Sequence, residues 1–419
     1  MVVASFVLLL LISVPVAFVL AITALVYIFQ SENAVLFESY PQQFFSGLEN
    51  YGLLALPLFI LLGEFMGEGG IARRLMNSAS AFIGSVKGGL AYINLLSNMM
   101  MASILGSTVA QITIMNRMAV PEMEKAGYRK DVSVAITAAG GLLAPVIPPS
   151  MVFIIFGVIA QISIGDLFIA GIIPGILMAL GFFALIGWQA KRFNFPYTKK
   201  LTRVERVKAV LDGLPACSIP VVIVGSILAG IATPTESAAI ACVVSVILGR
   251  FLYREFEFSA LAPAFYRAAK NSSMVLILIA SAQVFSWVIT YENIPAITAA
   301  WLQATTESPY VFLLLVTGLL LLVGMILDPI PAMILTVPVL LPIATNVYGI
   351  DPYQFGLIVC LNLVLGLLTP PVGSALFTAS VLSGVSAERL SVLLVPFLAV
   401  VMLVLVLMVF FPQIATIFI

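Results

Sequence analysis

The sequence predicts an all-α integral membrane protein built as two inverted repeats, each with a re-entrant helical hairpin and a discontinuous helix. Three observations lead there. Of 419 residues, 62% are hydrophobic and 9% are charged, against roughly 25% charged in a soluble domain. Two apolar runs, about Val132 to Ile162 and Tyr353 to Val381, are long enough to cross a bilayer, for which about 20 residues suffice. Each is interrupted at its centre, by Gly140-Gly141-Leu142-Leu143-Ala144-Pro145-Val146-Ile147-Pro148-Pro149-Ser150 and by Gly366-Leu367-Leu368-Thr369-Pro370-Pro371-Val372-Gly373-Ser374. The third observation is a constant offset. Gly127 matches Gly349, Pro148 matches Pro370, Pro149 matches Pro371, Asp166 matches Glu388 and Pro174 matches Pro396, each 222 positions on (for instance 370 − 148).

A proline lacks an amide hydrogen and clashes with the preceding turn, and it pushes the residue before it out of helical geometry. Both runs must therefore break. Freed carbonyls and amides cannot stay unpaired in lipid, so they face protein or an aqueous cavity. Paired broken helices in corresponding halves point to the binding site of a secondary transporter.

Composition excludes other chemistries. Basic and acidic residues number 19 each, so the net charge is zero and nucleic acid is not an expected partner. Histidine is absent, which removes histidine zinc sites, serine–histidine triads and histidine haem ligation. Cys217, Cys242 and Cys360 lie far apart in apolar runs and read as small buried hydrophobes. The N-terminal run lacks a basic flank and is too long for a signal peptide.

Taken in order, a first span is expected over about Val2 to Phe29, then a polar loop with Glu32 and Glu38, then a second span from Phe44 to about Met66. The segment from Gly88 to Met118, interrupted by Gly106-Ser107-Thr108, reads as a hairpin that enters and leaves on one side. The first broken helix and a span from Leu167 to Ala190 follow. A basic linker, Lys191 to Lys208, is expected as a solvated face against anionic lipid. Spans over Leu214–Ile231, Ser237–Phe251 and Ala268–Ile289 come next. A second hairpin covers Pro309 to Asn346 with Asp328-Pro329-Ile330-Pro331 at its turn, then the second broken helix and a last span over Leu390–Phe411. With the N-terminus in the cytoplasm, nine crossings and two hairpins place all 19 bases on the inner side, as the positive-inside rule requires. The C-terminus then lies outside. The first hairpin opens inward and the second outward.

The run Leu56-Pro57-Leu58-Phe59-Ile60-Leu61-Leu62-Gly63-Glu64-Phe65-Met66, the tip Gly106-Ser107-Thr108-Val109-Ala110, the Pro-Pro-Ser break, Thr233-Pro234-Thr235-Glu236-Ser237 and Asp328-Pro329-Ile330-Pro331-Ala332 together resemble the large membrane subunit of tripartite ATP-independent periplasmic (TRAP) transporters. The resemblance covers nearly the whole chain. It implies a sodium-driven importer of organic acids (C4-dicarboxylates, sialic acid and other sugar acids, or keto acids) in a bacterial inner membrane. It implies a small membrane subunit of four helices and a periplasmic substrate-binding protein as partners. It further implies an elevator mechanism of the ion-transporter-superfamily kind, in which hairpins and broken helices slide against a scaffold. On that basis residues 1–43 form an N-terminal scaffold span and 44–190 the first repeat. Residues 191–265 form the linker with two scaffold spans, and 266–419 the second repeat.

Sodium needs several oxygens but no particular side chain. The candidates are Ser103, Ser107 and Thr108 with carbonyls near Gly140 and Pro145, and Asp328 and Thr369 with carbonyls near Gly324 and Gly366. An anionic substrate is expected at Ser150, Ser374 and the backbone beside Pro149 and Gly373, because helix N-termini favour negative charge and no base lies at that depth. Asp328 is the most informative acid; capping of the following helix is its alternative role. Glu64 and Glu236 are expected as interfacial pairs. No cofactor other than coupling sodium is expected. A stand-alone carboxylate transporter of similar architecture is the competing function. An intramembrane protease would need a second aspartate, a serine dyad or histidines.

Overall fold

The computed structural model describes residues 2–12, 14–31, 33–83, 86–197 and 202–419. Among the described residues the secondary structure is helical apart from a single bridge between Lys87 and Tyr197.

The first expected span is two helices, α1 (Val2–Leu11) and α2 (Val16–Ser31). Pro15 stands between them. It has no amide for the turn before it, and its carbonyl accepts from Phe18 and Val19 at 2.9 and 3.2 Å to start α2. The expected polar loop is instead helix α3 (Ala34–Ser46), whose N-terminus is capped by the Asn33 side chain; Glu32 lies outside the described residues. The second span begins later than expected, with a 3-10 turn over Tyr51–Leu54 capped by Asn50, and continues as α4 (Ala55–Glu68).

Helix α5 (Ile71–Phe82) is a further addition to the expected order. Ile71, Leu75, Ser78 and Ala79 are buried, a helical stripe, while Arg73 and Arg74 reach Glu255 at 2.5 and 2.8 Å. The first hairpin is α6 (Gly89–Leu105) and α7 (Thr108–Lys125). The first broken helix is α8 (Lys130–Gly141) and α9 (Met151–Ala160), followed by α10 (Ile164–Arg192).

Part of the basic linker is helical. Thr202 and Glu205 form a capping box that opens α11 (Arg203–Leu228), so the helix starts well before the expected Leu214; residues 198–201 lie outside the description. Thr233 and Glu236 form a second capping box at α12 (Pro234–Ile247). Glu236 is thus a cap, not an ion-pair partner, because its carboxylate reaches back to the Thr233 amide at 2.8 Å. Glu64, by contrast, does pair, with Arg267 at 2.6 Å.

The remaining helices are α13 (Leu261–Tyr291), α14 (Ile294–Thr305), the hairpin α15 (Pro309–Ile326) and α16 (Pro329–Asn346), the broken helix α17 (Pro352–Gly366) and α18 (Ser374–Ser383), α19 (Ala387–Phe410) and α20 (Gln413–Thr416). Among the described residues eight helices are long and apolar enough to cross a membrane, and α15 and α16 are two of them. Length alone therefore does not separate hairpin arms from crossings.

The order α4 to α10 recurs as α13 to α19. Helices α8 and α17 begin at Lys130 and Pro352, 222 apart (352 − 130), and Gly127 and Gly349 both hold positive φ before them. Past the second break the register moves by one. Helices α9 and α18 begin at Met151 and Ser374 (374 − 151 = 223), and the N-caps Ser163 and Ser386 are likewise 223 apart (386 − 163). Val372 is the additional residue. Pro149 is followed directly by the N-cap Ser150, whereas Val372 separates Pro371 from the N-cap Gly373. The pairs Asp166–Glu388 and Pro174–Pro396 thus sit one residue out of structural register.

The core lies along the first halves of the broken helices. Every residue of α8 from Val132 and every residue of α17 from Gln354 is buried. A helix apolar on all sides packs inside and not at a surface.

Candidate binding site between two hairpin tips and two broken helices

Both hairpin tips and both breaks meet at one cavity of about 270 Å³. Gly106 to Val109 and Asp328 to Ile330 line it from the tips. Pro145, Met151, Val152, Val364 and Leu367 line it from the broken helices.

At the first break the chain caps itself. Ser150 is fully buried. Its hydroxyl donates to the Pro145 carbonyl at 2.6 Å and accepts from Phe153 N–H at 3.3 Å. The Gly106 tip lies over the start of α9. Its φ is +55°, and a Cβ there would stand 3.2 Å from Met151 N, so glycine alone fits without strain. The amides of Met151 and Val152, and those of Thr108 and Val109 at the start of α7, meet no protein acceptor among the described residues. Two helix N-termini, with their partial positive charge, therefore point at the cavity. Thr108 is 3% exposed and its hydroxyl has no hydrogen-bond partner.

The second break is closed differently. Gly373 caps α18 without a side chain, and its N–H donates to the Met325 carbonyl of the hairpin at 3.0 Å. Asp328 makes no capping bond to its own helix α16. It accepts from the Ser374 hydroxyl at 2.7 Å, so the hairpin supplies a carboxylate to the N-terminus of α18. The next amides of α18, Ala375 and Leu376, both donate to the Leu367 carbonyl at 3.1 Å. Pro329 and Pro331 leave Ile330 as the single N–H donor among the first three residues of α16. This half of the site thus carries negative charge and few free donors.

Both breaks contain a cis Pro–Pro bond, Pro148–Pro149 and Pro370–Pro371. The first is buried; Pro370, Pro371 and Val372 are exposed.

Of the residues singled out in the sequence, Ser107, Thr108, Pro145 and Asp328 line the cavity. The others are not among its lining residues. Gly140 packs beneath Asn98 and its carbonyl accepts from Leu143 N–H and, at 3.4 Å, from Gln111. Gly324 and Gly366 bring α15 against α17 backbone to backbone; a Cβ on Gly366 would overlap the Gly324 carbonyl group. Thr369 donates to the Leu365 carbonyl at 2.8 Å. Pro149 is buried within the first break. Gly373 and Ser374 hold the second break to its hairpin, as described above. The Ser103 side chain lies outside the described residues.

Two features were not anticipated. A chain of amides runs through the first hairpin. Gln111 donates to Asn98 at 2.8 Å, Asn98 to Asn94 at 2.8 Å, and Asn94 to Thr137 of α8 at 2.7 Å. All four residues are buried, and the chain fastens α6 and α7 to α8. Its signal was available as three amides spaced through an apolar hairpin. Polar groups of this kind hold helices together where the hydrophobic effect does not. The second feature is a crevice of about 450 Å³ between α4, α13 and the first hairpin. It shares Ser107 and Met151 with the cavity and reaches Glu64 and Glu68, both held by Arg267 at 2.6 Å.

Comparison with known proteins accords with this geometry. The DctM component of the tripartite ATP-independent periplasmic transporters matches residues 3–414. The 2,3-diketo-L-gulonate TRAP transporter large permease protein YiaN of Escherichia coli is 38% identical over 321 residues, 77% of this chain and 75% of that protein. The C4-dicarboxylate TRAP transporter large permease protein DctM of Pseudomonas aeruginosa is 35% identical, over 76% of this chain and 74% of its own length. The sialic acid permease SiaM of Vibrio cholerae is 31% identical, over 83% and 81%. Among solved structures, the Alcanivorax borkumensis YdaH transporter shares the fold at a TM-score of 0.67 and 14% identity, covering 90% of this chain and 89% of that one. With a family match across nearly its whole length and relatives above 30% identity, the chain belongs to the large permease subunits of TRAP transporters.

Proposed function

We propose that this subunit imports organic-acid anions by coupling them to sodium, and that the cavity between the tips is where both bind. The observation that carries the reading is the opposite chemistry of the two sides of the cavity. On one side, unengaged amides at the starts of α7 and α9 favour a carboxylate. On the other, Asp328, with no basic side chain among the cavity's lining residues, favours a cation. A sodium ion takes the Asp328 carboxylate and oxygens near Thr369 and Gly366. A second takes oxygens around Ser107 and Pro145. The Thr108 hydroxyl, placed among the amides, is assigned to the anion and not to sodium.

The relatives are named for 2,3-diketo-L-gulonate, C4-dicarboxylates and sialic acid, which supports the reading of an organic-acid carrier. It works in a bacterial inner membrane, N-terminus inside, with a four-helix membrane subunit and a periplasmic binding protein that delivers the substrate. The two hairpins and broken helices slide as one body against α4, α11, α12 and α13, and the crevice at Glu64 and Arg267 is the inward exit. The test is uptake into proteoliposomes holding this chain and its small subunit, with sodium and the binding protein each left out in turn. Loss of uptake in both omissions is expected. Uptake by this chain alone would instead mark a stand-alone carrier.

A further inference from the structure

We infer that the tip of the second hairpin is a movable lid that sodium closes over the cavity, while the first hairpin is a fixed wall. This rests on the sodium reading above and adds a moving part to it. The first ground is how the hairpins are fastened at equivalent positions. In the first repeat Gln111 of α7 donates to Asn98 of α6 at 2.8 Å, and Asn94 of α6 donates to Thr137 of α8 at 2.7 Å. The positions 222 on from Asn94, Asn98 and Thr137 (for instance 320 − 98) are Val316, Leu320 and Val359. Counted from the N-caps Ser107 and Asp328, the place of Gln111 is taken by Ala332 (111 − 107 = 332 − 328). All eight residues are buried, so the second repeat keeps the packing and drops these hydrogen bonds. In their place stand a bond of 3.4 Å from Asn362 to Thr317 and a contact of 3.9 Å between the Cys360 and Met333 sulfurs. Helices in lipid have no hydrophobic force between them, and polar side chains hold them together. Lifting the first tip would strand buried amides; lifting the second breaks weaker contacts.

The second ground is a hinge. Helix α16 carries Pro338 and Pro342 in its interior, and each removes a backbone bond and bends a helix at the turn before it. The proline inside α7, Pro121, lies near that helix's C-terminal end. A crevice runs beside the α16 prolines, lined by Ile334, Val337, Pro338 and Leu341 on one side and by Ile279 and Gln283 of α13 on the other. It gives the tip room to swing. Below the tip, α15 meets α17 through Gly324 and Gly366, backbone to backbone, which anchors the arm beneath the lid.

The third ground is the closing contact. Asp328 is exposed and accepts from Ser374 at 2.7 Å, and the Met325 carbonyl accepts from Gly373 N–H at 3.0 Å. Both bonds join the tip to the second break, whose prolines are exposed. A cation shared between the Asp328 carboxylate and oxygens of the break draws the tip down onto it.

The experiment follows amide hydrogen exchange by mass spectrometry on the full chain, with its small subunit, in lipid nanodiscs. Sodium chloride is compared with choline chloride of equal strength, without substrate. Exchange reads the free energy of local opening, so removing sodium should speed it about tenfold in peptides covering 325–335 and 369–376 and change those covering 104–112 by less than about twofold. Pro338→Ala returns the missing amide and should slow the sodium-free exchange of the second tip about fivefold. Asn98→Leu with Gln111→Ala, the residues of the second repeat, should make the first tip exchange as fast as the second. A larger sodium response at 104–112 than at 325–335, or a second tip indifferent to Pro338→Ala, overturns this inference and leaves the sodium reading standing. No response to sodium anywhere in the chain overturns both.

Discussion

The two breaks share one covalent plan and do opposite work. Each has a proline pair with a cis bond, and each is followed by a half-helix of ten residues. The first is buried, capped by its own Ser150, and covered by a bare glycine tip that leaves two helix starts open to the cavity. The second is exposed, capped by glycine, and tied to a hairpin that brings a carboxylate. Repetition sets the geometry, and the two tips differ in their residues, Gly106-Ser107 against Leu327-Asp328, with the N-caps Ser107 and Asp328 in corresponding places. The hairpins differ in the same sense. The first is fastened to its broken helix by buried amides. The second rests on close glycine packing and on Asn362, whose amide reaches Ile358 and Thr317 at 2.8 and 3.4 Å.

The largest effect is expected at the first tip. Gly106→Ala forces a positive φ on an L side chain, at a cost of about 1–2 kcal/mol, and pushes a methyl toward Met151 N. Uptake should fall about thirtyfold, read from initial rates at saturating sodium. An unchanged rate would mean that the first tip does not shape the site. Ser374→Ala comes next. It removes the hydroxyl bound to Asp328, a charge-assisted bond, and should raise the sodium concentration for half-maximal uptake about fivefold. Thr369→Val should do the same about twofold, since its hydroxyl is already bonded to the Leu365 carbonyl. Ser39→Ala, whose hydroxyl bonds only the Val35 carbonyl of its own helix, should change nothing.

The smallest effect concerns stability outside the spans. Burial raises the Asp131 carboxyl, but Arg129 and Arg389 offset this and hold it below its usual value of 3.8. A depressed value in the folded state stabilises above the unfolded value and is lost as pH falls through the folded one. Asp131→Asn should therefore lower the thermal midpoint in detergent by a few degrees at pH 7. The difference from the unmodified chain should shrink below pH 4. An equal difference at both pH values would mean that the charge is not what Asp131 contributes.

The all-helical class, the two helix–tip–helix pairs and the two breaks were legible because proline pairs, glycine tips and apolar length act locally. Helices α3, α5 and α14 escaped that reading: they are short or amphipathic, and their burial depends on neighbours far along the chain. The one-residue change of register at Val372 escaped it because pairing of Pro396 with Pro174 offers no sign of which residue caps a helix. At the site, Ser107, Thr108, Pro145 and Asp328 were legible from their place at tips and breaks. The roles of Ser150 and Ser374 were not. A serine after a proline pair faces either a ligand or its own backbone, and only the three-dimensional path shows Ser150 turned to Pro145 and Ser374 to Asp328. The amides of Asn98 and Gln111 needed the same path, because their partners lie on separate helices.

The most direct test of the division between the breaks is a pair of titrations on Asp328→Asn and Thr108→Val, each first shown to be folded and in the membrane. For each variant, sodium is varied at fixed substrate, then substrate at saturating sodium. Asp328→Asn should move the sodium half-saturation about tenfold, as loss of a charged ligand does, and leave substrate affinity at saturating sodium unchanged. Thr108→Val should do the reverse. Equal shifts of both quantities in both variants, or the crossed pattern, would contradict the account.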